Sequence, residues 1–304
     1  MVAVTATRGR ELDATSDKID EVNVLKGQLK GDAAAFDEAS KFDETKEKET
    51  FRNYEDAKDH VKVFYAEQHA KQTLEFNLKA REKFHSETRA RMTIWEAIEK
   101  LDTLIDESDP DTSLSQIQHL LQTAEAMRRD GKPDWMQLTG LVHDLGKLLC
   151  FYGAEGQWDV VGDTFVVGCK FSDKIIYPAT FEANPDYNNP KLMTENGIYE
   201  AGCGLDNVLL SWGHDEYLYN VLKDQSTLPK EALSMIRYHS FYPWHREGAY
   251  RHFMRDGDEE QLRAVKAFNP YDLYSKSDNP PSVTELKPYY MSLIDKYIPG
   301  VLDW

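Results

Sequence analysis

From Phe51 to Ser86 the residues Val61, Phe64, Tyr65, Leu74, Leu78 and Phe84 recur at roughly helical spacing among strong helix formers, which predicts one long amphipathic helix. "RMTIWEAIEKLDTLID" continues in the same mode until "ESDPD" stops it. The next run, "SLSQIQHLLQTAEAMRRDG", has serines to cap its start, arginines in its last turn and Gly131 just past its end. Pro133 suits the first turn of a further helix, "PDWMQLTGLVHDLGKLLCFYG", whose end Gly153 marks. Between about 154 and 204 the texture changes to Gly, Pro, Asn and Asp with short β-branched runs, "VVGD" and "TFVVG", which predict loops and a small hairpin. Helical patterning returns in "HDEYLYNVLKD", "PKEALSMIRYHSFY", the stretch around "QLRAVKAF" and "ELKPYYMSLIDKYI". Residues 1–48 hold few large apolar side chains and lead into the mixed charge run "DETKEKET", the pattern of a flexible acidic tail. The sum is a tail followed by a single all-α domain over 49–304, with one irregular insertion.

Composition narrows the partners. The chain of 304 residues is 41% hydrophobic and carries 53 acidic against 36 basic residues, a net charge of -17. Such a surface repels phosphate backbones and anionic membranes, so neither nucleic acid nor a membrane is an expected partner. Cys150, Cys169 and Cys203 are odd in number and lack C-x-x-C spacing, which points to a reducing compartment with neither a disulfide framework nor a thiolate metal site. No signal-like or membrane-spanning apolar run is visible, so the expected location is the cytoplasm, and a monomer is the expected state.

The chemistry lies in the histidines. His60, His69 and His85 sit among Lys, Glu and Gln and read as solvated or helix-packing residues. His252 reads as structural, and His245, beside Trp244, as a residue behind the site. His119, His143, His214 and His239 differ, because each occupies an apolar or aromatic setting. One such histidine is more often a hydrogen-bonded core residue. Four on separate helices, with Asp144 next to His143, favour a metal site inside a bundle. Adjacent helix positions are rotated by about 100°, so His143 and Asp144 cannot clasp one ion as a flat chelate, but they can flank two, with the carboxylate bridging. Lys147, one turn after His143, adds a cation beside whatever anion the metals hold.

The order His, His-Asp, His and later Asp resembles the HD-domain superfamily. Longer blocks, among them "LDTLIDESDPD", "HLLQTAEAMRRDGKPDWMQLTGLVHDLGK", "CGLDNVLLSWGHDEYLY", "MIRYHSFYPWH" and "FNPYDLYSK", resemble the myo-inositol oxygenase family from about Phe51 to Trp304. The resemblance implies an HD-like helical bundle around a dinuclear centre of two iron ions in a mixed-valent Fe(II)/Fe(III) state. It implies that His119, His143 and Asp272 hold one iron, that His214 and His239 hold the other, and that Asp144 bridges. It further implies catalytic roles for Lys147 and Asp144, and substrate contacts at Arg52, Asp106, Glu107, Ser108, Lys147, Gly162, Asp163, His239 and Ser240, with Lys276 as a further candidate. The reaction implied is ring cleavage of myo-inositol by dioxygen to D-glucuronate and water. An HD-type metal phosphohydrolase is the alternative, and a polyol-binding protein with a structural metal is a second.

Overall fold

The computed structural model describes Phe36, Phe42 and residues 59–104, 115–274 and 281–304. Residues Ser40–Trp304 make up one compact unit, which holds every element below. The first helical pattern divides into α1 (Asp59–Lys71) and α2 (Leu74–Ser86). The break follows from local chemistry: Thr73 caps α2 by accepting from the Phe76 amide, and the Asn184 side-chain amide donates to the carbonyls of His69 and Gln72 at the end of α1. Leu78, counted as apolar in the helical stripe, is 53% exposed. After β1 (Arg91–Met92) comes α3 (Ile94–Leu101), opened by a reciprocal Thr93–Glu96 capping box. β1 pairs antiparallel with β2 (Leu302–Asp303), a junction of sequence-distant ends that no local pattern announced.

The bundle proper comprises α4 (Gln116–Arg129), α5 (Asp134–Val142), α6 (His214–Leu222), α7 (Lys230–Tyr238) and α9 (Asp258–Tyr274), with the single turn α8 (Tyr242–His245) between α7 and α9. Helix α4 packs on α5, α6 on α7, α7 on α9, and α10 (Val283–Tyr297) covers α5. The all-α, HD-like expectation holds. The expected hairpin in 154–204 does not form: that insertion is turns and short 3-10 segments, tied to the following chain by an isolated bridge from Val166 to Leu210. The alternation in "TFVVG" is nevertheless used. Phe165 and Val167 join one apolar cluster and Val166 another, so the segment separates two small cores instead of edging a sheet.

The segment expected as one helix from 133 to 153 also changes character. Helix α5 stops at Val142, His143 caps it, and Leu145–Phe151 winds as a 3-10 helix. Gly146 gives the reason for the tight turn: a Cβ there would lie 2.0 Å from the carbonyl oxygen of His214. Only glycine lets this backbone press against the start of α6, which brings "HDLG" and "GHD" together.

Helices α6 and α7 are locked by a buried ion pair. The Arg237 guanidinium donates to both carboxylate oxygens of Glu216, at 2.8 and 3.2 Å, and to Asp206 at 3.0 Å. Burial pushes the Glu216 carboxyl up, but Arg237 and Arg81 outweigh it and hold its pKa below the ordinary 4.5. This contribution to stability is complete above that value and is lost as pH falls through the lower pKa of the folded state. Removing one partner strands the other charge, so Glu216→Gln is expected to destabilise the protein by about 3–5 kcal/mol. Urea unfolding near neutral pH checks this, with a steeper loss of stability toward acid in the parent than in the variant. An unchanged midpoint would show that the pair is dispensable.

Candidate metal centre

Each of the four histidines stands at or near a helix terminus. His143 and His239 cap the C-terminal ends of α5 and α7, His214 is the first residue of α6, and His119 lies in the first turn of α4. His143, His214 and His239 are buried, and His119 is partly so. Their orientation is fixed by the backbone. The Nδ1 atoms of His143, His214 and His239 lie 2.9, 2.7 and 2.9 Å from the carbonyl oxygens of Gly140, Val160 and Ile236. A carbonyl oxygen only accepts, so each Nδ1 must carry the proton and each Nε2 is free to present its lone pair.

Those Nε2 atoms converge. His119 and His143 each place Nε2 3.2 Å from Oδ1 of Asp272, which α9 supplies two residues after Pro270. The Nε2 atoms of His214 and His239 face each other at 3.2 Å. With both Nδ1 protons already donated to carbonyls, these Nε2 atoms need either a proton on one ring, which Asp215 and Asp144 favour by raising the His239 pKa against its burial, or a cation between them. Asp144 stands in the middle. Its Oδ2 is 3.5 and 3.6 Å from the Nε2 atoms of His119 and His143, while its Oδ1 is 3.5 Å from each of those of His214 and His239. One carboxylate thus turns one oxygen to each pair of imidazoles, an arrangement able to serve two ions.

Lys147 is buried beside this carboxylate and donates to Asp144 Oδ2 at 2.8 Å. Lys147 thus stands as a cation beside an anion of the cluster, one 3-10 turn after Asp144. Burial alone would raise the pKa of Asp144, but Lys147 and the surrounding imidazoles hold it well below the ordinary carboxylate range. Burial likewise opposes ionisation of Asp272, and His143 and His119 overcome it. Both acids are anionic in the fold. Phe268 covers the cluster, its ring centroid 5.3 Å from that of His143. The His119 and Asp272 side chains, 18% and 13% exposed, form the more open side.

Asp215 was absent from the expected set, and the structure places it in the cluster. Its Oδ1 lies 2.8 Å from His214 Nε2 and 3.4 Å from His239 Nε2. The Ser240 amide donates to Oδ2 and its hydroxyl to Oδ1, both at 3.1 Å. A signal existed, since "HD" occurs at 214–215 as well as at 143–144. Three groups of His and Asp donors result, His119/His143/Asp272, His143/Asp144/His239 and His214/Asp215/His239.

The remaining expected residues divide. Ser240 reaches the cluster through Asp215 and directly, its hydroxyl 3.4 Å from His214 Nε2, and its carbonyl accepts from the Thr164 amide at 2.9 Å, which draws the Gly162–Asp163 turn alongside. Gly162 has φ +92, and a Cβ there would meet Phe64 at 2.8 Å. The Asp163 carboxylate accepts from the Tyr65 hydroxyl at 3.4 Å. Arg52, Asp106, Glu107, Ser108 and Lys276 lie outside the described residues. His60 and His85 are exposed, and His69 takes the packing role: it stacks on Phe181 at 4.0 Å, and burial lowers its pKa to about 3. His245 stands behind the cluster, its Nε2 2.9 Å from the His239 carbonyl, and His252 contacts the Glu195 carbonyl in the insertion.

Residues 58–304 match the model of a family described as myo-inositol oxygenase. The chain is 50% identical over 270 residues to the inositol oxygenase of Dictyostelium discoideum, covering 86% of this chain and 92% of that one. It is 52% identical over 262 residues to inositol oxygenase 1 of Arabidopsis thaliana, covering 84% of each. It is 50% identical over 264 residues to the inositol oxygenase of Danio rerio, covering 85% of this chain and 95% of that one.

The position of Asp144 between the two imidazole pairs generates a specific expectation. Asp144→Asn should lower bound divalent metal by more than half, because a neutral amide joins two cations poorly, whereas His252→Ala should leave it unchanged. Elemental analysis of the folded variants checks this. Full metal content in Asp144→Asn would exclude a shared carboxylate.

Proposed function

The chain belongs to the myo-inositol oxygenase family, and on that premise we propose that it cleaves the ring of myo-inositol with dioxygen to give D-glucuronate and water. The proposed cofactor is a pair of iron ions, in the mixed-valent Fe(II)/Fe(III) state. His119, His143 and Asp272 would hold one, His214 and His239 the other, and Asp144 would bridge. The observation that carries this reading is the confrontation of His214 and His239 Nε2 at 3.2 Å with both Nδ1 atoms committed to carbonyls. Imidazole and carboxylate donors suit iron, and a set this small leaves coordination positions open for substrates. The HD-type phosphohydrolase shares the ligand chemistry but would not use dioxygen.

In the overall reaction the C1–C6 bond and a C–H bond at C1 break. One oxygen atom enters the new carboxylate, the other leaves as water, and dioxygen takes up four electrons. Iron, when bound, polarises the substrate oxygens and exchanges electrons with dioxygen. The protein's own share is positional. Lys147 holds Asp144 Oδ2 with a buried ammonium, so the bridging carboxylate stays anionic and a positive charge stands where a deprotonated substrate oxygen would be stabilised. Burial of His143, Asp144, His214 and His239 under Phe268 limits water, and the more exposed His119–Asp272 side provides the approach. Asp106, Glu107 and Ser108 precede α4 and Lys276 follows α9 in the chain; with Arg52, Gly162, Asp163 and Ser240 they are the proposed polyol contacts, a polyol needing many donors and acceptors. All donors come from one chain, so a monomer suffices. No helix among the described residues is long and apolar enough to cross a membrane. With an odd number of cysteines and no C-x-x-C spacing in the sequence, we place the protein in the cytoplasm.

Iron-loaded protein incubated with myo-inositol and 18O-labelled dioxygen is expected to yield glucuronate with one labelled carboxylate oxygen. Lys147→Ala should slow turnover by about 100-fold or more while leaving iron content near that of the parent. Equal turnover under strict anaerobiosis, or label drawn only from water, would sink the oxygenase reading.

A further inference from the structure

We infer that Gln72, which lies in the break between α1 and α2, is a positioning residue for the metal centre, clasping the two chain segments whose meeting anchors His214. The inference rests on the dinuclear reading above and adds no ligand to it. The three histidines whose Nδ1 meets a carbonyl differ in where that carbonyl comes from. His143 and His239 find theirs three residues back in their own helices, at Gly140 and Ile236. His214 is the first residue of α6 and has no preceding turn to supply one, so it takes the carbonyl of Val160, 54 residues earlier. Its backbone amide donates to the same oxygen, also at 2.7 Å. The aim of this ring is therefore only as firm as the hold between the segments at 158–160 and 212–214.

Gln72 supplies that hold with a single side chain. Its Nε2 donates to the Trp212 carbonyl at 2.8 Å and to the Trp158 carbonyl at 3.3 Å, one bond to each segment. Each bond falls two residues before that segment's half of the Val160–His214 contact. The Gln72 Oε1 accepts from the Trp212 amide at 3.1 Å and from the Asn77 side-chain amide at 3.0 Å. Both donors and both acceptor positions of the amide are thus used. Its orientation is fixed as well, because a flipped amide would turn its NH2 on the Trp212 N–H and its oxygen on two carbonyls. Gln72 is fully buried, and an apolar side chain in its place would leave the Trp158 and Trp212 carbonyls without this donor. Gly213 shows how closely the segments run: a Cβ there would lie 3.0 Å from the Val160 carbonyl oxygen. Asn184 holds the main chain of the same helix break, through the His69 and Gln72 carbonyls, so the break and the clasp can be perturbed separately.

Metal affinity, independent of turnover, separates a clasp from ordinary packing. Full-length parent, Gln72→Met and Asn184→Ala are titrated anaerobically with Co(II) and followed by visible absorption, and iron per chain is measured after loading with Fe(II) and desalting. His214→Ala and His119→Ala identify the absorption bands of the two ions. Gln72→Met is expected to weaken the ion on the His214 side by about 10- to 100-fold, the range usual for an outer partner of a ligand, and to leave the other ion unchanged. Asn184→Ala loosens the same helix break without removing the clasp; it is expected to lower the melting temperature of the metal-free protein while both affinities stay at the parental value. Circular dichroism of the metal-free proteins establishes folding. If Gln72→Met does not fold, Asn77→Ala, which removes one partner from Gln72 Oε1 and one from the Trp212 amide, is expected to weaken the same ion. Parental affinity for both ions in folded Gln72→Met, or in Asn77→Ala when it must stand in, would overturn the inference alone, as would an equal loss at both ions or an equal loss in Asn184→Ala. Fewer than two ions in the parent would overturn the dinuclear reading, and the inference with it.

Discussion

The hydrogen bonds from Nδ1 of His143, His214 and His239 to the carbonyls of Gly140, Val160 and Ile236 set the terms for the rest of the molecule. They commit three buried imidazoles to turning their lone pairs inward, where lone pair meets lone pair and carboxylates crowd in. Donors into that interior are few, Lys147 and Ser240 among them, and each buried polar group left unsatisfied costs about 1–3 kcal/mol. The grouped His and Asp donors could hold a metal ion, which would meet that need. Helix ends suit the task, because a terminal residue can reach a nearby free carbonyl with Nδ1 while its Nε2 points away from the helix.

What surrounds the cluster serves to hold those ends in register. Gly146 permits the 3-10 turn after His143 to lie against the His214 backbone, so the two His-Asp dipeptides share one small volume. Glu216 lies two residues after His214 and Arg237 two residues before His239, and their pair ties the two helices at that level. Phe268, on the same helix as Asp272, closes the hydrophobic side. Stability and site geometry are thus the same set of contacts, and a change in the ion-pair lock reaches the histidines through a single helical turn.

Much of this was legible in the amino-acid sequence, for identifiable reasons. Capping and periodicity marked α4, α6, α7 and α10 because those signals are local, and the apolar settings of His119, His143, His214 and His239 marked them as costly to bury without partners. Three features were not legible. The break between α1 and α2 depends on Asn184, more than a hundred residues away, which satisfies the end of α1. The 3-10 winding of 145–151 depends on contact with α6, which no pattern within "HDLGKLLCF" reveals. Asp215 stood in a repeat of the His-Asp dipeptide, yet its place in the cluster is held by Ser240, which follows a different helix. The expected hairpin failed for a related reason: alternation in "TFVVG" was real but served two apolar clusters, and alternation alone does not supply a strand partner.

The central claim is that two metal ions sit on either side of the Asp144 carboxylate. Anomalous diffraction at the iron absorption edge from crystals of the iron-loaded protein tests it most directly. The account predicts two anomalous peaks a few ångströms apart (about 3.5–4 Å is usual for paired metals), one beside His119, His143 and Asp272 and the other beside His214 and His239. A single peak, or peaks away from Asp144, would contradict it.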